Sequence, residues 1–404
     1  MGCDMANPHF DVVTVGGGLA ASALAIAMSR SGARVLVLER ETKFRDRVRG
    51  EALVSWGVGE ARQLGIADLL LNTCALQVPW MEMGFGPRNL VETTPQKEPF
   101  FTYCHPEMQE ALLAKAESCG ADVRRGVTVE GVEACTTGTP HAAVTARNRT
   151  TEKITARLVV GVDGRGSAVR RWGGFAVEKL HLPFQFAGVQ LTGVASRQDM
   201  STFIFNPELG MIAIMIPQSK HRWRCYLGYP TRSGLAFQGT DKLDSFVRES
   251  ARAVPLMEAA YAKVECTGPL AAFDVSESWV RHPYRDGVAL LGDAAATSDP
   301  TYGQGMSSAL RSVRVLRDAL LRHSDWAQAG DEYAREHDRC FQITHTVSGW
   351  FRTLFQDTTA EAQAARQKAM PKIAEDLMRV PDHLFSGPDL PLDETVRACL
   401  FADD

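Results

Sequence analysis

The sequence predicts an α/β fold: a domain with a parallel sheet, a second domain built on a mixed or antiparallel sheet, and a helical C-terminal region. Three observations predict it. A strand, a glycine turn and a helix follow one another in residues 11–40, and buried strands ending in tight turns return at residues 157–171 and 286–320. Residues 183–275 contain strands joined by hairpin turns, and the chain turns helical after about residue 345.

The composition excludes several classes of protein. The 404 residues include 45% hydrophobic and 23% charged residues, and the net charge of −4 argues against a nucleic-acid surface. No apolar run approaches the roughly 20 residues that span a bilayer. Nine scattered cysteines without a CxxC pair argue against disulfides or a zinc site. We therefore expect a cytoplasmic monomer or homodimer with no metal, no nucleic-acid partner and no stable membrane association.

The first element is a strand–turn–helix–strand unit. Residues 11–15 are β-branched and predict a strand, and residues 20–31 predict a helix that Gly32 ends. Residues 34–38 read as a second buried strand. In such a unit the helix N-terminus points at the phosphates of a bound nucleotide.

The turn of this unit has a nucleotide-binding motif. Residues 16–21 match G-x-G-x-x-G/A, with one glycine for the tight turn, one for the approach of a pyrophosphate and an alanine for close packing. An acid follows 21 residues after Gly18, where it would bond ribose hydroxyls. The motif alone leaves FAD and NAD open. The predicted cofactor contacts here are Gly16, Gly18, Ala20, Ala21, Glu39 and Arg40.

Two later segments repeat the pattern of a buried strand and a turn. Residues 158–162 run into Asp163-Gly164, and residues 288–291 run into Gly292-Asp293. Ligands of open α/β sheets bind at the carboxyl ends of such strands. A rigid loop of few side chains follows at residues 300–305, and a long amphipathic helix begins near Met306.

Taken together, the GxGxxA turn with its acid, the DGxxSxVR segment and the GDAAxxxxPxxGxG segment resemble the FAD-dependent group A aromatic hydroxylases, the p-hydroxybenzoate hydroxylase-like flavoprotein monooxygenases. The resemblance implies that FAD is the cofactor and that NADPH or NADH is the electron donor. It implies that Asp293 contacts the ribityl or pyrophosphate region of FAD. The other contacts that it implies in these segments are Asp163, Gly164, Gly292, Pro300, Gly303, Gly305 and Met306.

Basic residues crowd the loop after the second strand. The resemblance implies that one arginine there approaches the flavin pyrophosphate or ring, and we select Arg49, with Arg47 beside it, over a merely solvated basic loop. Relatives usually start the next helix with an arginine near FAD. Here His105 takes that place and Gln109 follows one turn later, so either can contact FAD, and Gln109 is our choice.

The resemblance also implies a reaction. NAD(P)H would reduce FAD, O2 would form a C4a-hydroperoxyflavin, and one oxygen atom would pass to a small aromatic substrate. Arg49, Pro300 and Gly303 are the candidate catalytic positions, and no general base can be located. Alternatives are a reductase or dehydrogenase similar to geranylgeranyl reductases, a two-component monooxygenase or halogenase, and a non-catalytic flavin-binding protein.

The remaining segments predict the domain organisation. Phe205 and Met215 are the candidate pocket-lining residues of the second sheet, and Pro371 and Pro381 should interrupt the C-terminal helices, which would cover the pocket or form a dimer contact. The predicted domains are an FAD-binding domain (1–77, 98–182 and 276–345), a substrate-binding domain (78–97 and 183–275) and a C-terminal helical region (346–404).

Overall fold

The computed structural model describes residues 9–134, 142–147 and 150–403, so Cys3 and Cys135 lie outside the described residues. The seven other cysteines are free thiols. The described strands are β1 (Phe10–Val15), β2 (Val35–Glu39), β3 (Ala52–Leu53), β4 (Leu76–Val78), β5 (Trp80–Glu82), β6 (Pro87–Asn89), β7 (Phe100–Thr102), β8 (Asp122–Arg125), β9 (Thr128–Ala134), β10 (Ala142–Arg147), β11 (Thr151–Gly161), β12 (Glu178–Leu180), β13 (Phe184–Thr192), β14 (Met200–Asn206), β15 (Met211–Pro217), β16 (Trp223–Pro230), β17 (Glu265–Cys266), β18 (Ala271–Asp274), β19 (Glu277–Trp279), β20 (Tyr284–Arg285), β21 (Val288–Leu290) and β22 (Ala296–Thr297).

The helices follow the same chain order. None of the helices within the described ranges is both long and apolar enough to cross a membrane. They are α1 (Leu19–Arg30), α2 (Ser55–Gln63), α3 (Ala67–Thr73), α4 (Leu90–Thr93), α5 (His105–Ser118), α6 (Ala168–Trp172), α7 (Leu243–Ala253), α8 (Leu256–Ala260), α9 (Gly305–Arg322), α10 (Trp326–Phe355), α11 (Ala360–Glu375), α12 (His383–Ser386) and α13 (Glu394–Phe401).

The first sheet places the predicted nucleotide site. Its strands β8, β2, β1, β11 and β21 run parallel in that order, with β20 antiparallel at one edge. Helices α1, α5 and α9 pack on one face, and α6 with the β9–β10 pair packs on the other. Because parallel strands end at one edge of a sheet, the turns after β1, β2, β11 and β21 meet there.

The second sheet carries the other half of the molecule. Its order is β17-β13-β16-β15-β14-β5-β6, and β18 pairs with β13. One face packs on α7 and α8, while the other faces the first domain. Strands β5 and β6 come from residues 80–89, far away in sequence, and β5 runs parallel to β14. The α/β fold class with a second mixed sheet and C-terminal helices is confirmed.

Two details of the C-terminal region differ from expectation. The predicted boundary between residues 345 and 346 falls inside the continuous helix α10. Pro371 lies within α11 and does not interrupt it. Proline removes one intrahelical hydrogen bond, but burial of Ala369 and Ile373 against neighbouring helices keeps the segment helical. The division into three domains stays a prediction.

Candidate active site

A cavity of about 600 Å³ runs between the two sheets. One end lies at the carboxyl edge of the parallel strands, and the other lies against the open face of the second sheet. The sequence-predicted residues that line it are Gly16, Gly18, Ala20, Glu39, Arg40, Arg47, Arg49, Gln109, Asp163, Gly164, Phe205, Gly292, Asp293, Pro300, Gly303, Gly305 and Met306. Two predicted residues, Ala21 and Met215, do not line the cavity.

The glycine turn forms a cradle at the narrow end of the cavity. Gly16 has φ +109°, and a Cβ atom there would lie 2.5 Å from the carbonyl oxygen of Val162. Gly18 precedes α1, which has no side-chain cap and no acidic residue in its first turn. The free N–H groups of the helix N-terminus therefore face the cavity, and they fit a phosphate.

Ala21 does not contact the cavity because it is fully buried beneath the turn. Its small side chain allows α1 to pack closely on the sheet, as the motif requires. Ala21 therefore shapes the site without reaching a bound nucleotide, which corrects the expectation of a direct contact.

Glu39 braces this turn. Its Oε2 accepts a hydrogen bond of 2.7 Å from the Gly17 backbone N–H, and its Oε1 accepts one of 2.7 Å from Glu41. The carboxylate is 7% exposed at the cavity wall. Arg40 and Arg47 lie at the exposed mouth, each beside Glu41. A ribose contact of Glu39 stays a prediction.

Asp163 already has protein partners. Ser167 Oγ donates to its Oδ1 at 2.6 Å, and the N–H groups of Ala168 and Val169 donate to its Oδ2 at 2.6 and 3.2 Å. The carboxylate thus caps α6, and the adjacent Gly164, with φ +81°, presents mainly backbone to the cavity. This capping role accounts for both oxygens of the aspartate side chain.

Asp293 differs from Asp163 because its carboxylate accepts no hydrogen bond from the described residues. It stands on the turn Gly292–Ala294 and lines the cavity. Burial raises the pKa of Asp293, and the nearby charges of Arg49 and Arg165 oppose that rise. An acceptor left without a partner inside a cavity fits a ligand hydroxyl group. This is the observation that best fits the ribityl chain of FAD.

Hydrogen bonds hold the loop before α9 in place. Gly303 has φ +66°, and the Asp299 carboxylate accepts from the Thr301 N–H at 3.0 Å. The buried Gln304 accepts from Trp56 Nε1 at 3.1 Å and donates to the Leu384 carbonyl at 3.1 Å. The N-terminus of α9 follows, so the positive end of an 18-residue helix faces the cavity.

A buried ionic cluster behind this loop was not predicted. Glu277 Oε1 accepts from the Asp299 N–H at 3.1 Å, and its Oε2 lies 2.5 Å from His345 Nδ1. Arg352 Nη2 lies 3.3 Å from Asp299 and 3.6 Å from Glu277. Burial raises the pKa of Asp299, and the charge of Arg352 lowers it. These residues are up to 75 positions apart in the chain, so no local motif signals them.

A second unpredicted network lies beside the second sheet. Arg224, whose side chain is 0% exposed, lies 2.6 Å from Asp46 and 3.2 Å from Glu51. The Tyr226 hydroxyl donates to Glu51. Burial raises the pKa of Glu51, against the lowering effect of Arg224. Glu51 and Tyr226 line the cavity. Two sequence features could have indicated this network: the "RGE" sequence after the basic loop, which contains Glu51, and the alternation of residues on β16, which places Arg224 and Tyr226 on one face.

His105 is neutral at pH 7. Burial lowers its pKa to about 4, and its Nδ1 lies 2.7 Å from the Gly50 carbonyl oxygen. The ring nitrogen must therefore carry a proton to donate to that carbonyl. His105 does not replace the charge of the arginine expected at this place, although both His105 and Gln109 line the cavity.

The open face of the second sheet explains why Met215 was the wrong choice. Side chains alternate across a strand, and Ile214 and Ile216 line the cavity. Met215, between them, points to the opposite face and packs with the cluster of α7 and α8. Phe205 does line the cavity, with its ring 6.4 Å from that of Tyr302.

Comparisons with known proteins agree with this geometry. The family described as "FAD binding domain" matches residues 9–342. A 6-methylpretetramide 4-monooxygenase of Streptomyces rimosus is 27% identical over 340 residues, covering 79% of this chain and 78% of that protein. A digeranylgeranylglycerophospholipid reductase of Methanopyrus kandleri is 26% identical over 416 residues, covering 98% and 99%.

A solved structure shows a similar fold. The crystal structure of the p-nitrophenol 4-monooxygenase PnpA from Pseudomonas putida aligns with a TM-score of 0.77 at 19% identity, covering 93% of this chain and 96% of that one. This likeness concerns the arrangement of the two sheets and the helices.

Proposed function

This chain belongs to the FAD binding domain family, and on that premise we propose that it is an FAD-dependent monooxygenase that uses NADPH or NADH and O2 to hydroxylate a small aromatic substrate. The single observation that carries the proposal is the continuity of the cavity. It joins the phosphate-binding turn at Gly16 to an apolar chamber beside Phe205. A cofactor laid along it would place its reactive end next to an organic substrate.

The residues present fit FAD. The N-terminus of α1 would hold the pyrophosphate, and the unpartnered carboxylate of Asp293 would accept from the ribityl chain. Arg49 would add a charge-assisted bond, since it makes no ion pair with the described residues. Pro300 and Gly303 would line the isoalloxazine. Bound FAD would supply the redox chemistry and the activation of O2.

The protein's own contribution is positioning and exclusion of water. Gln304 and the Glu277 cluster hold the 298–305 loop in one conformation. The N-terminus of α9 favours negative charge that develops beside it. Apolar walls around the substrate keep water out. Arg40 and Arg47 are placed at the exposed mouth, where an anionic nicotinamide nucleotide would approach.

A second candidate is reduction of an apolar substrate without O2. The full-length likeness to the archaeal reductase favours it, because that match extends over 98% of this chain, including the C-terminal helices. Both candidates use FAD and the same cavity. They differ in the fate of the electrons, which pass to O2 in one and to the substrate in the other.

The test follows from that difference. The purified protein with FAD is mixed with NADPH or NADH in the presence of a panel of phenols and anilines, and oxygen uptake and product mass are recorded. We expect substrate-stimulated O2 consumption and a product heavier by one oxygen atom. Substrate reduction without O2 uptake would establish the second candidate instead. A protein that retains no FAD would refute both.

A further inference from the structure

The chamber at the substrate end of the cavity is walled by aromatic and aliphatic side chains. Phe186 and Tyr226 meet edge to face with ring centroids 5.9 Å apart, and Phe273 stacks on Phe186 at 6.1 Å. The remaining apolar side chains of the chamber are Val54, Met81, Met83, Phe100, Phe203, Phe205, Ile214, Ile216, Leu384 and Phe385. Such walls favour an apolar guest.

The C-terminal region closes this chamber. Phe385 of α12 lies on Phe100, with ring centroids 5.9 Å apart. Arg88 of β6 makes two bonds of 2.6 and 3.1 Å to the Asp382 carboxylate that precedes α12. The Gln96 side chain donates to the Ser386 carbonyl at 2.7 Å. A guest in the chamber would therefore be covered by α12 on this side.

The polar side chains that face the chamber include a carboxylic acid. The Tyr226 hydroxyl donates to Glu51, and both residues line the cavity. Among the described residues, the cation paired with Glu51 is Arg224, which has no exposed surface and is held between Asp46 and Glu51. One positive and two potential negative charges leave this network negative or, with Glu51 protonated, neutral. No net positive charge is presented to a guest.

Six arginines of the described ranges line the cavity: Arg40, Arg45, Arg47, Arg49, Arg165 and Arg171. Arg40 and Arg47 stand beside Glu41 at the mouth. Arg49 and Arg165 lie near Asp293, and both act on its charge. Arg165 is also bound to the backbone carbonyl of Asp274 at 2.7 Å. Arg165 is thus bound to the residue that follows Phe273 of the aromatic wall, and the Asp274 carboxylate pairs with its charge at 3.2 Å. The other arginines fit the cofactor phosphates.

We propose that the chamber selects an uncharged aromatic substrate and rejects the corresponding carboxylate, with Glu51 as the residue that determines this selectivity. The inference rests on the proposed function, since it concerns the substrate of that same site. Its physical basis is that a carboxylate among apolar walls, with no unpaired cation among the described residues that form them, loses its hydration without compensation. A neutral hydroxyl or amine group can instead bond to the Tyr226–Glu51 pair.

The test is binding to the FAD-loaded protein, measured without turnover. The matched probes are 2-naphthol and 2-naphthoate at pH 7, and binding is followed by perturbation of the flavin absorbance and by equilibrium dialysis. We expect 2-naphthol to bind at least about tenfold more tightly. Equal or tighter binding of 2-naphthoate would overturn the proposal, and so would failure of both probes to bind.

Substitution of Glu51 tests whether this residue determines the preference for 2-naphthol. Glu51→Gln keeps the shape and an acceptor for Tyr226 but removes the charge, so the preference for 2-naphthol should shrink about fivefold or more. Asp244→Asn removes an exposed carboxylate on α7, outside the cavity, and should leave the preference unchanged. An unchanged preference in Glu51→Gln would remove Glu51 from the proposal.

A further variant distinguishes the loss of one polar group from a folding defect. Tyr226→Phe removes only the hydroxyl and should weaken 2-naphthol binding several-fold while leaving 2-naphthoate binding unchanged. Oxygen uptake in the same preparations tests the proposed function separately. A protein that prefers 2-naphthol but never consumes O2 keeps the chamber's selectivity and loses the monooxygenase assignment.

Discussion

The two ends of the cavity are formed by different parts of the protein. The cofactor end consists mainly of backbone, in the glycine turns and the N-termini of α1 and α9. One unpartnered carboxylate, that of Asp293, lies beside them. The substrate end consists of side chains from the second sheet and from α12. Backbone N–H groups recognise phosphate whatever the neighbouring side chains are, whereas side chains define one shape and charge. Changes at the first end should therefore abolish cofactor binding, and changes at the second should alter selectivity.

Gly16→Ala should have the largest effect. The new Cβ atom would lie 2.5 Å from the Val162 carbonyl oxygen at a φ of +109°. We expect affinity for FAD to fall by about 100-fold or more because the turn must move. FAD content after dialysis and fluorescence titration measure it.

The matched control is Gly32→Ala. Gly32 also has a positive φ, +85°, but nothing lies within 4 Å of a Cβ atom there, and it is outside the cavity. It should cost about 1 kcal/mol of stability and leave FAD binding intact. Equal loss of FAD in both variants would mean that general instability, and not the turn, governs binding.

Arg352→Met tests the support of the loop that joins the two ends. Removing the arginine leaves Glu277 and Asp299 buried without that compensating charge, so the free energy of unfolding should fall by about 3 kcal/mol. Turnover should fall as well, since the loop carries Pro300 and Gly303. Denaturant titration and kcat are the measurements.

The control for this variant lies on the same helix. Arg335 of α10 is exposed, and Arg335→Met should change the free energy of unfolding by less than about 0.5 kcal/mol. A loss of similar size in the two variants would show that the helix, and not the ionic cluster, is sensitive.

The lowered pKa of His105 predicts that the stability of the folded protein depends on pH. Its pKa is about 4 in the folded protein against 6.5 ordinarily, so the unfolded chain takes up the proton first as the pH falls. The stabilisation is fully present above pH 6.5 and is lost as the pH falls from 6.5 through 4, by about 3 kcal/mol. His105→Asn should flatten this slope in denaturant titrations. A slope identical to that of the wild type would show that other groups titrate.

The smallest effect should distinguish the two faces of the second sheet. Phe205→Leu changes the chamber wall and should alter the KM for the substrate several-fold while stability falls by about 1 kcal/mol. Met215→Leu changes the opposite face, so stability should fall by a similar amount or less while KM stays unchanged. A change in KM for both would show that the sheet acts as one unit.

Prediction from sequence succeeded where the signal was local. The strand–turn–helix order and the glycine spacing located the turn at Gly16, and the later turns located Asp293 and Gly303. It failed at Met215, because which face of a strand points to the cavity depends on how the sheet is oriented. It did not show that the Asp163 carboxylate caps α6, and the contact of Asp163 with a cofactor stays a prediction. The ionic cluster of Glu277 and Arg352 joins residues without any sequence pattern.

The sequence by itself determined the α/β class and the site of the phosphate cradle, because a glycine turn and the helix after it form from neighbouring residues. Its resemblance to a flavoprotein family indicated FAD. Only the tertiary structure decided what the cavity can admit. Glu51, Tyr226 and Phe385 come from a loop, a strand and a C-terminal helix, and they form one chamber only after the sheets and helices have packed. The charge and shape that a substrate meets are properties of that packing.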